Sequence, residues 1–170
     1  MRKPEGEAAD AEAIARKHPA LAALGKRRHR MIFTRPKPAH RGDAEDDGQL
    51  VVGFFDYDEN RTMVAQVDAK AKTVKAVEHL TASFQLSEEE QQEAETLAAG
   101  DARVRARLAG RSMNPLTRLF FPRGAARRPP AHRYAIVFLR PTSRERYYAV
   151  VDLSAGAVVD VLTRRDLTGR

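Results

Sequence analysis

Residues 144–162 read RERYYAVVDLSAGAVVDVL, in which Tyr147, Ala149, Val151 and Leu153 fall on one face of an extended chain. The turn SAGA then leads into a second valine-rich run. Residues 61–78, RTMVAQVDAKAKTVKAVE, repeat the pattern, with Met63, Ala65, Val67 and Ala69 on one face and KAKT at the turn. The glycine of the later turn, Gly156, suits a left-handed position, whereas Lys72 stands in the same place in the earlier copy. Upstream of each hairpin lies a branched and aromatic run, QLVVGFFDY and HRYAIVFLR. Before each of these comes a shorter one, RMIFTRP and RLFFPRG, ended by Pro or Gly.

Helical signals precede the strands in both halves. Ser87 and Glu90 form a capping-box signature, with acidic residues in the first turn, and the helix is expected to reach about Ala99 and stop at Gly100. Asp101 then caps a short helix whose Val104 and Leu108 share a face. In the first half AEAIARKH is followed by Pro19 as a helix starter and by ALAAL, closed by Gly25.

The halves are aligned as a tandem duplication. Val67-Asp68 meets Val151-Asp152 at an offset of 84 (152 minus 68), and the gap-free match pairs Phe54 with Phe138, Ala65 with Ala149, Ala71 with Ala155, Val74 with Val158 and Val77 with Val161. Ile14 meets Leu97 and Leu21 meets Val104 at an offset of 83 (104 minus 21), and RMIFTR is set against RLFFPR. The expectation is an α+β chain of two units, 1–82 and 83–170, each with helices followed by a four-stranded antiparallel meander. One face of each sheet is apolar and is covered by that unit's own helix.

Residues 144–162 resemble the strand pair in the small N-terminal domains of copper amine oxidases. LSEEEQQEAETLAAGDARVRARLAGR resembles the two-helix segment that opens the second of those domains, and RTMVAQVDAKAKTVKAV is similar to the PepSY module. The resemblance implies two tandem cystatin-like units and an accessory or protein-binding role. It implies no catalysis, because the oxidase chemistry belongs to a large C-terminal domain whose counterpart would begin where this chain ends. FFDYDEN has a slight likeness to the oxidase quinone motif, but Asp56 stands where that motif has Asn, and the stretch is expected at a hairpin tip.

Composition narrows the classes further. The 170 residues include no Cys and no Trp, which removes disulfides, thiolate metal sites and cysteine nucleophiles and fits a reducing compartment. Without a secretory apolar core at the N-terminus or a long apolar run, a cytoplasmic protein that does not enter a membrane is expected. The five histidines have no metal-ligand spacing, no serine lies in a nucleophile elbow, and no glycine-rich phosphate loop occurs. SEEEQQEAE reads as a solvated helix face and DAEDD as a loop. No catalytic, cofactor or metal residues are therefore assigned.

The net charge is +7, and basic residues cluster in GKRRHR with RPKPAHR and in RLFFPRGAARRPPAHR. Arg27, Arg28, Arg127 and Arg128 are the candidate anion- or partner-binding residues. The leading expectation is a protein or peptide partner, with an enzyme encoded nearby as one candidate, taken up on an exposed strand edge. The alternative is nucleic acid bound by the paired basic loops. Recognition of single-stranded RNA by stacking would need aromatics exposed on a sheet.

Overall fold

The computed structural model describes residues 4–37, 48–80, 84–110, 114–122, 129, 132–139 and 146–168, and the chain divides into the units Met1–Phe84 and Gln85–Arg170. The boundary falls two residues beyond the expected one. In the first unit, helix α1 (Pro4–Arg16) and the short α2 (Pro19–Ala22) precede strands β1 (His29–Pro36), β2 (Gln49–Asp56), β3 (Arg61–Asp68) and β4 (Thr73–Leu80). In the second, α3 (Glu88–Gly100) and α4 (Ala102–Leu108) precede β5 (Leu116–Phe120), β6 (Tyr134–Leu139), β7 (Tyr147–Asp152) and β8 (Ala157–Thr163). A last short helix, α5 (Arg164–Thr168), is not among the elements expected from the sequence. Each sheet is an antiparallel meander in sequence order, so the α+β architecture of two tandem units is as expected.

The helices start where their chemistry dictates. Ser87 Oγ accepts the Glu90 N–H at 3.2 Å and Glu90 Oε2 accepts the Ser87 N–H at 2.9 Å, a complete capping box. Asp101 ends α3 in extended conformation and caps α4 by accepting the N–H groups of Arg103 and Val104. Pro19 opens α2 as expected, but Gly25 closes nothing: it lies inside a 3-10 turn, Ala23–Lys26, that tightens the end of the helical segment.

In the first unit Ala11, Ala15, Leu21 and Leu24 pack on Val52, Phe54, Met63, Ala65 and Val67. Small alanines at one spacing let the helix approach the sheet closely. Ala94 and Ala98 are their counterparts in α3, at the same offset of 83 (94 minus 11), and all four are fully buried. Val67 and Val151 are likewise fully buried, and each sits at a β-bulge in the same place, after Gln66 and after Val150. The following turns match in detail. Asp68 Oδ1 accepts the Ala71 N–H at 2.8 Å, Asp152 Oδ1 accepts the Ala155 N–H at 2.9 Å, and Lys72 and Gly156 have φ of 53° and 66°.

Two details of the self-alignment are corrected. Phe54 lies opposite Met63 and Leu139 opposite Tyr147, so Leu139 rather than Phe138 is the counterpart of Phe54. The β6–β7 connection is one residue shorter, and a gap-free match slips by one and exchanges the two faces of the strand. Thr34 lies opposite Val52 and Thr117 opposite Val137, so β5 aligns at an offset of 83 (117 minus 34), not as RLFFPR against RMIFTR. The longer connection falls after β5, within the basic segment.

The second face of each sheet is also apolar. Val51, Phe55 and Val64 are buried on it in the first unit, as are Ile136, Tyr148 and Val150 in the second. The Phe33 ring lies over Gly53, Phe84 meets Phe33 at 4.6 Å, and the Arg35 guanidinium stacks 5.0 Å from Phe33. At the place of Gly53 the second unit has Phe138, edge-on to Tyr148 at 5.3 Å.

Candidate functional site

Arg27 and Arg28 leave the helical segment just before β1 and meet the β2–β3 turn. Asp56, the last residue of β2, is fully buried, and its Oδ1 accepts the N–H groups of Asp58 and Glu59. Its Oδ2 takes Arg27 Nη1 at 3.0 Å, and the same nitrogen lies 2.9 Å from Glu59 Oε1. The hydrogen bond to Asp56 is the main cause of an Arg27 pKa raised above its ordinary value. Arg28 donates its N–H to Asp58 Oδ2 at 3.3 Å, accepts the Tyr57 N–H at 2.9 Å, and lays its guanidinium 4.5 Å from the Tyr57 ring centre.

These contacts place Tyr57 at the hairpin tip, buried and edge-on to Phe55. They also make both arginines structural, because together they pin the turn of the first hairpin to the segment entering β1. Arg127 and Arg128 lie outside the described residues. Arg27 and Arg28 are neighbours around one turn, and an anion would compete with Asp56 and Glu59 for Arg27.

The expected solvated face of SEEEQQEAE is corrected at Glu90. This side chain is fully buried in a forked ion pair with Arg133, whose Nη2 lies 2.8 Å from Glu90 Oε2 and 2.9 Å from the Gln85 carbonyl oxygen. The capping box was the available signal: a Glu reaching back to its N-cap points along the helix end rather than into water. His132 Nδ1 pairs with the buried Asp152 Oδ2 at 2.7 Å. His29 Nδ1 lies 2.8 Å from the Arg27 carbonyl, and its Nε2 meets Arg16, which can only donate. The ring therefore carries its proton on Nδ1. Among the described residues no group of three His, Asp or Glu side chains could hold a metal ion, and no helix is long and apolar enough to cross a membrane.

Among the described residues, the strand borders carry further exposed chemistry. Sheet order leaves β1 and β4 at the borders of one sheet and β5 and β8 at the borders of the other. Phe121, immediately after β5, is 61% exposed, and Val159 on β8 is 38% exposed. No protein-family model and no curated protein matches the chain.

Proposed function

We propose that this chain is a non-catalytic binding protein that captures a protein or peptide partner along a sheet edge. One observation supports this most directly: both sheets are open, and among the described residues no border strand has a second partner. An open edge presents a row of backbone donors and acceptors that an extended segment can match, with side chains supplying selectivity. The resemblance to the N-terminal domains of copper amine oxidases and to PepSY modules agrees with an accessory role. A cytoplasmic location belongs to the same proposal and fits the absence of cysteine.

The net charge of +7 supports a second reading, nucleic-acid binding through Arg27, Arg28, Arg127 and Arg128. Salt separates the two. Random peptides displayed against the immobilised chain should yield a selective ligand whose binding survives about 0.15 M salt. Nucleic acid bound through phosphates should instead lose about 0.9 log units of affinity per log unit of salt for each phosphate neutralised. Tight nucleic-acid binding at physiological salt, with no selected peptide, overturns the edge-capture proposal.

A further inference from the structure

Three of the four border strands carry a feature that turns a further strand away. The β1 ladder has a bulge between Met31 and Phe33, and β1 ends on Pro36, which has no N–H to offer. The β3–β4 ladder is bulged at Val67, and β4 exposes Lys75, Glu78 and His79. The β7–β8 ladder is bulged at Val151, the Val158 carbonyl already accepts Arg103 Nη2 at 2.6 Å, and β8 runs directly into α5.

Strand β5 has neither a bulge nor a proline, although it too carries an exposed charge, Arg118, whose Nη1 donates to the Thr117 carbonyl oxygen at 3.2 Å. It pairs with β6 in unbroken register from Leu116 opposite Phe138 to Phe120 opposite Tyr134. Leu116, Leu119 and Phe120 are half-buried, and Phe121 is the most exposed large apolar side chain among the described residues. On the strand itself the one charged side chain is Arg118, which is exposed, while Glu95 of α3 accepts a hydrogen bond from Thr117 Oγ1 at 2.7 Å; the sequence from Leu116 to Arg133 contains arginines and a histidine but no carboxylate.

We infer that β5 is the docking edge, and that its occupant is an extended segment of a partner protein in which an apolar residue is flanked by Asp or Glu. The segment's backbone pairs with the outer side of β5, its apolar residue packs on Phe121, and its carboxylates meet the Arg118 guanidinium, which otherwise donates to the Thr117 carbonyl. This inference rests on the edge-capture reading and narrows it to one strand and one ligand chemistry.

The probe is a fluorescent short peptide of alternating Val and Glu, compared with its Val-Lys counterpart and with forms N-methylated on either alternate set of amides. At about 0.15 M salt the Glu peptide should bind the full chain and the Lys peptide should not. Methylating one set of amides should abolish binding and methylating the other should not, because only alternate N–H groups face the sheet. Phe121→Ser alters an exposed side chain and should weaken binding roughly tenfold or more. If Val159→Ser weakens binding while Phe121→Ser does not, the docking edge is β8; the β5 assignment then fails and edge capture stands. Self-association of the chain that Phe121→Ser abolishes makes the occupant a second copy and overturns the inference. Failure of every peptide to bind overturns the inference together with the reading it rests on.

Discussion

Single residues carry the turns of this protein. Gly156 has φ of 66° with open space around its missing Cβ, so Gly156→Ala should cost about 1 kcal/mol through backbone strain alone, read from denaturant unfolding. Gly53 fails for another reason. A Cβ there would collide with the Phe33 ring, and Gly53→Ala should cost about 1–3 kcal/mol through overpacking. Three aspartates contribute to stability on the acid side. Hydrogen bonds lower the pKa of Asp68 chiefly through the Ala71 N–H, of Asp101 chiefly through Arg103, and of Asp166 chiefly through the Thr163 N–H. Each therefore binds its proton more weakly folded than unfolded. Its contribution is complete above the unfolded value, near pH 4, and is lost as the pH falls through the lower folded value. Thermal melts should be flat from neutral pH to about pH 5 and fall below pH 4, and Asp101→Ala should flatten part of that fall.

At the scale of elements, the buried pair of Glu90 and Arg133 joins the start of α3 to the entrance of β6. Removing one partner strands a buried charge, so Arg133→Met should cost about 3–5 kcal/mol. Adding Glu90→Leu to that variant should recover much of the loss, measured as a double-mutant cycle. Local grammar makes many elements readable. Ser87, Glu90 and Asp101 announce their caps within three residues, and alternation from Met63 to Val67 and from Tyr147 to Val151 sets which side faces the helices. Long-range partners are not readable: nothing at Glu90 names an arginine beyond a whole helix and strand. Loop length is also invisible, so a gap-free match sets β2 one residue out of step with β6 and pairs β1 too late with β5. Short α5 escapes notice because a Thr-to-Asp cap after a strand needs no apolar face.

For the whole molecule, the duplication assigns Val67 and Val151 the same place in separate units. Val67→Ala and Val151→Ala should each cost about 1–3 kcal/mol by cavity formation. Because the sites share no neighbours within a unit, the double variant should lose the sum to within about 0.5 kcal/mol. The open edges follow from the same plan, since a four-stranded meander has two borders in each copy. Bulges interrupt the ladders of three of them, leaving β5 in unbroken register beside Phe121. In the sequence the arginines stand out first. Folded, Arg27 and Arg28 hold a turn, and the edge itself can be found only once the strand order is known.

Hydrogen exchange of the full chain with and without a peptide selected at physiological salt tests the central claim most directly. Edge capture predicts new protection at alternate amides of a border strand, β5 foremost, with no added protection in the turn 57–60. Protection around Arg27, Arg28 and that turn, without any along a border strand, would contradict it.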